Sequence, residues 1–67
     1  MIQITINGQK ESFDAGLSVL TLLQDRGLAG KRLAVERNGE IVPKGQHGET
    51  VLADGDRLEI VVAVGGG

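Results

Sequence analysis

Ile2, Ile4 and Ile6 alternate with Gln3, Thr5 and Asn7, the period-two pattern of a strand with one buried face. Asn7-Gly8 comes next, a pair that accepts the positive φ angles of a tight hairpin turn, and residues 9–14 read as the return strand, carrying Phe13. Beyond it the period changes. Val19, Leu20, Leu22 and Leu23 fall at helical spacing over residues 19–26, with Ser18 placed to cap the first turn and Gly27 to stop the last. A helix this short does not persist alone in water, so its leucines must dock on a sheet.

The second half repeats the strand grammar. Residues 32–37 predict a third strand with Leu33 and Val35 on one face, Asn38-Gly39 a second tight turn, and residues 40–42 a short fourth strand. Pro43 ends that strand because it has no N–H to give a ladder. Residues 44–53 match neither period and read as a looping connection with Val51-Leu52 as a small apolar anchor, and Asp54-Gly55-Asp56 is a turn. Residues 57–64 form the last strand, with Leu58, Ile60, Val62 and Val64 on one face and Arg57, Glu59, Val61 and Ala63 on the other. A strand so apolar belongs in the middle of its sheet, beside the first. Hairpin, helix, hairpin, loop and strand fit an α+β fold of the β-grasp type, a mixed sheet of about five strands gripping one helix.

Composition narrows the chemistry. A chain of 67 residues holds one core and, at this size, buries only about 60% of its unfolded surface. With no cysteine it has no disulfide, thiolate metal site or cysteine nucleophile. The net charge of −2 is small, there is no basic stripe, and Phe13 is the sole aromatic residue, which argues against nucleic-acid binding. No signal-like start and no apolar run of membrane-spanning length is present, so a cytoplasmic protein that binds neither nucleic acid nor membrane is expected.

The sequence ends on Gly65, Gly66 and Gly67. By itself such an end is as readily a passive tail or linker remnant as a functional arm. Here it comes after a well-patterned strand, which divides the chain into a domain over residues 1–64 and a flexible glycine tail over residues 65–67. A tail without side chains can thread a narrow slot on another protein, where the α-carboxylate of Gly67 would be the reacting group.

Asn38-Gly39-Glu40-Ile41-Val42-Pro43, the segment from Asp54 through Val61, and the terminal Val64-Gly65-Gly66-Gly67 together resemble the ThiS-type sulfur carriers of thiamine biosynthesis. The likeness covers essentially the whole chain. It implies a ubiquitin-like β-grasp carrier that is not an enzyme but a substrate of others. Gly67 would be adenylated by a ThiF-type adenylyltransferase using ATP, then converted to a thiocarboxylate with sulfur from a cysteine desulfurase relay. Thiazole synthase would take that sulfur into the thiazole ring. Carriers for molybdopterin, cysteine or tRNA thiolation, and protein-conjugating modifiers, share the tail and the fold and remain alternatives. His47-Gly48 stands where relatives often carry a bulkier aromatic residue.

The chemistry asks little of the body. An α-carboxylate, with a pKa near ~3.5, is an anion that nucleophiles avoid until it is joined to AMP. Gly65 and Gly66 keep the tail thin, and Val61 and Ala63, opposite Leu58 and Ile60, are candidates for partner docking, although β-branched and small residues also simply suit a central strand. Asp54 and Asp56 lack the rest of a calcium loop and read as turn residues, and His47, a lone histidine in a polar loop, as a surface residue. No catalytic residue, metal ligand or stably bound cofactor is expected in the chain itself.

Overall fold

The computed structural model describes residues 1–63. Its elements run β1 (Ile2–Ile6), β2 (Gln9–Phe13), α1 (Val19–Asp25), β3 (Leu33–Arg37), β4 (Glu40–Ile41), a 3₁₀ turn (Lys44–Gln46) and β5 (Arg57–Val62). The sheet order is β2-β1-β5-β3-β4, so the last strand in sequence is the central one in space. β5 lies parallel to β1 and antiparallel to β3, and the two hairpins are antiparallel, giving a mixed sheet of the β-grasp type.

Both hairpin turns depend on Asn-Gly. Asn7 and Gly8 take φ of 49° and 84°, and Asn38 and Gly39 take 52° and 85°. Two consecutive positive φ values define the turn whose twist matches that of the flanking strands.

The helix begins at Ser18, whose side-chain oxygen accepts from the Thr21 N–H at 3.1 Å. It ends in a closed loop of backbone bonds. Gly27, at φ 69°, donates to the Gln24 carbonyl at 3.0 Å, and Leu28 donates to the Leu23 carbonyl at 2.8 Å. This 5→2 and 6→1 pair is a Schellman motif, and it carries Leu28 back toward Leu23.

Ile4 and Ile6 from β1, Val35 from β3, and Leu58 and Ile60 from β5 pack against Val19, Leu22 and Leu23 of the helix. Val42 and Leu52 close the core from the irregular segment. The alternation of burial along β1 and most of β5 is the alternation of the sequence: Ile4, Ile6, Leu58 and Ile60 are buried and Glu59 and Val61 exposed, but Val62, expected on the face of Leu58, is exposed where β5 ends.

Three further local features differ from the expectations drawn from the sequence. The segment after Pro43 is not a featureless loop: it makes a 3₁₀ turn, and Val51 bridges Ser18. Of the expected anchor pair, Leu52 is buried but Val51 is 56% exposed, since it sits at the bridge with its side chain outward. His47 is buried, not on the surface. Its Nε2 lies 3.2 Å from the Val42 carbonyl, and a carbonyl only accepts, so the ring nitrogen is the donor.

Candidate functional site

The site expected from the sequence is the end of β5 together with the glycines beyond it. β5 is held on both sides. Ala34 pairs with Val61 and Leu33 with Val62 on the β3 side, and the Ala63 N–H donates to the Arg32 carbonyl at 2.9 Å. On the β1 side the ladder is short, running only through Thr5↔Arg57 and Ile6↔Leu58. Where it stops, the Asn7 side chain takes over: Oδ1 accepts from the Ile60 N–H at 2.8 Å and Nδ2 donates to the Ile60 carbonyl at 3.2 Å. A turn residue thereby extends the ladder one position beyond the strand it terminates.

The opposite end of β5 is fixed by a buried carboxylate. Asp56 accepts from Arg37 Nε at 2.8 Å, from Asn38 Nδ2 at 3.1 Å and from the Ala53 N–H at 2.8 Å. Burial alone would push its pKa up. The hydrogen bonds from Ala53, Arg37 and Asn38, with the Arg37 charge, outweigh that and hold it below the ordinary 3.8. Asn38 Oδ1 then accepts from the Arg57 N–H at 2.9 Å. In the sequence Asp56 reads only as a turn acid, because the Asn38 and Arg37 partners of this network lie 18 and 19 residues away.

Val61 is 60% exposed and lies on the sheet face turned away from the helix; Ala63, one step past the strand, is also exposed. The structure therefore brings the two candidate docking residues to the surface at the end of β5. Ala34 lies opposite Val61 on that face, and Ile41, 61% exposed, faces outward from β4. Gly65, Gly66 and Gly67 lie outside the described residues, as do Val64 and the division between body and tail expected there.

Among the described residues no group of three His, Cys, Asp or Glu side chains is placed to hold a metal ion. No helix among them is long and apolar enough to cross a membrane. His47 and Ser18 are each accounted for by a structural bond, to Val42 and Thr21 respectively.

The model of the ThiS family matches residues 2–67. The chain belongs to the ThiS family. It is 40% identical over 67 residues to the sulfur carrier protein ThiS of Bacillus subtilis, a match spanning 100% of both chains. It is also 44% identical over 66 residues to a thiazole synthase of Paramagnetospirillum magneticum, covering 98% of this chain and 20% of that protein. A thiazole synthase of Magnetococcus marinus is 38% identical over 66 residues, again covering 20% of its length, so the chain spans about a fifth of these two relatives. The crystal structure of the thiamine biosynthesis protein ThiS from Geobacter metallireducens superposes with a TM-score of 0.82 at 32% identity, over 98% of this chain and 100% of that one. The order and pairing of the five strands are thus the ubiquitin-like β-grasp fold of the family.

Proposed function

We propose that the chain is a sulfur carrier of thiamine biosynthesis, with residues 1–64 as the body and residues 65–67 as the arm that carries the cargo at Gly67. The observation behind this reading is the end-to-end match, at 40% identity, with the sulfur carrier protein ThiS of Bacillus subtilis. Two thiazole synthases that contain a stretch similar to this chain support thiazole synthase as the acceptor's side of the transfer.

In the proposed reaction the Gly67 carboxylate attacks the α-phosphorus of ATP in a ThiF-type adenylyltransferase, releasing pyrophosphate and leaving an acyl adenylate. The terminal sulfur of a persulfide, supplied by a cysteine desulfurase relay, attacks the acyl carbon and expels AMP. A thiol then attacks the S–S bond of the resulting acyl disulfide, becoming a disulfide itself and leaving the thiocarboxylate. That species gives its sulfur to the thiazole ring at thiazole synthase.

The body contributes no acid, base or nucleophile to these steps. Its part is to dock and to aim. Gly65 and Gly66 thread the slot, and Val61 and Ala63 meet the partner's surface at the slot's mouth. Ordering the arm costs roughly 1–2 kcal/mol per fixed residue, which contact with the body must offset.

Intact-mass measurement after incubation with ATP, magnesium, the activating enzyme and a sulfur donor tests the reading. The gain expected is that of one oxygen replaced by one sulfur at Gly67. An unchanged mass, with the enzyme shown active on another carrier, would reject it. Growth of a thiamine auxotroph on the chain, but not of a molybdopterin-deficient strain, identifies the pathway.

A further inference from the structure

Away from the outer sheet face, the helix, the segment after it and the 3₁₀ turn enclose a groove of about 310 Å³. Its wall is a product of the way the helix ends. Leu20 and Leu23 come from one side of α1, and the Schellman motif folds Leu28 back beside Leu23, the apolar contact that usually accompanies this motif. Leu33, at the first position of β3, continues the wall. His47 lies at the base, fixed by its bond to Val42 and by its own carbonyl, which accepts from the Leu20 N–H at 2.9 Å. Gly48 borders the groove beside Leu20: a Cβ there would stand 3.5 Å from Leu20 Cδ2, an ordinary contact distance.

The charge around this groove runs against that of the chain. The protein carries nine acids and seven bases. No acid lines the groove, whereas Lys31 and Lys44 both do; beyond the lining, Arg32 and Glu49 adjoin it in sequence. The two ion pairs among the described residues, Arg26–Glu11 and Arg37–Asp56, involve none of these three cations. An apolar slot lined by two lysines and no acid is complementary to an apolar side chain flanked by carboxylates. At the lower end of the usual size of ligand pockets, it suits one or two side chains and not a large cofactor.

We infer that this groove is a second docking site, which takes a short segment of a partner protein presenting leucine-like side chains beside acidic ones. The groove lies next to the end of β5, since Leu33 pairs with Val62 and the Arg32 carbonyl accepts from Ala63. A partner that holds the end of the chain has the groove within reach of the same surface. The inference does not depend on the sulfur chemistry at Gly67, because neither the groove nor the peptide titration uses that chemistry.

The test is titration of the isotopically labelled chain with the peptide acetyl-Glu-Leu-Leu-Glu-amide, monitored by amide chemical shifts. Saturable shifts are expected at Leu20, Leu28, Lys31, Leu33 and Gly48, with the outer-face residues Glu59 and Val61 unmoved. The analogue with lysine in place of both glutamates, and the one with serine in place of both leucines, should bind at least about tenfold more weakly. The double variant Lys31→Glu, Lys44→Glu should keep the dispersed spectrum of the folded protein and lose the peptide. Absence of saturation at millimolar peptide, or equal binding of the lysine analogue, would overturn the inference. So would deletion of residues 65–67 shifting the same amides as far as the peptide does, because the occupant would then be the chain's own end.

Discussion

The side-chain amide of Asn7 grips both backbone groups of Ile60, accepting from its N–H at 2.8 Å and donating to its carbonyl at 3.2 Å. One residue thus has two duties, since the same Asn7 supplies the positive φ of the first hairpin turn. Asn7→Gly keeps the turn and removes the grip, whereas Asn7→Ala removes both. Two part-buried hydrogen bonds at about 1 kcal/mol each predict a loss of roughly 2 kcal/mol for Asn7→Gly in urea unfolding, with an unchanged slope. Asn7→Ala should lose more, because alanine resists φ of 49°.

Asp56 makes stability depend on acid. Its pKa is lowered in the folded state, so the folded form binds its proton less readily than the unfolded chain does. The stabilisation is therefore fully present above the unfolded-state pKa of about 4 and is lost as pH falls through the lower folded value. Thermal unfolding at pH 7 and near pH 3 should show a drop in midpoint for the natural chain. Asp56→Asn should start lower at pH 7 and fall less between the two.

Leu22 is 1% exposed at the centre of the helix–sheet contact. Leu22→Ala should cost about 2–5 kcal/mol by lost burial and the cavity left behind. In a domain this small that approaches the whole stability, so circular dichroism should show a chain largely unfolded at 37 °C.

Val61 offers the opposite case. At 60% exposed it can become Val61→Glu with a change in unfolding midpoint of only a few degrees. If the outer face docks the activating enzyme, the same change should weaken binding in calorimetry by at least about tenfold. Retained affinity would move the docking surface elsewhere.

Removal of Gly66 and Gly67 should leave the unfolding curve of the body in place and abolish sulfur loading measured by intact mass. Gly67→Ala is the gentler form. A methyl group beside the reacting carboxylate should slow adenylate formation without weakening the dock of the body.

The strands are legible in the sequence because their physics is local. Alternation at Ile2, Ile4 and Ile6, and again at Leu58 and Ile60, is imposed by one buried face, and Asn-Gly names its turn within two residues. The helix is equally plain from Ser18 to Gly27. What escapes depends on distance or on an unfamiliar period. Asp56 looks like any turn acid until Arg37 and Asn38 arrive from the other hairpin. His47 and Val51 lie in a stretch wound as a 3₁₀ turn and an isolated bridge, which imprints neither a period of two nor one of 3.6. The groove escapes for the same reason: its residues come from the helix, its cap, β3 and that turn, and no single segment displays it.

The central place of β5 has a mechanical meaning. A force applied at Ala63 along the axis of that strand loads it from its end. Tension there runs parallel to both neighbouring strands, so the ladders to β1 and β3 and the Asn7 brace resist it together in shear. An edge strand under the same force would have one ladder to resist it where β5 has two. The body is braced from two sides against a load at the end of β5.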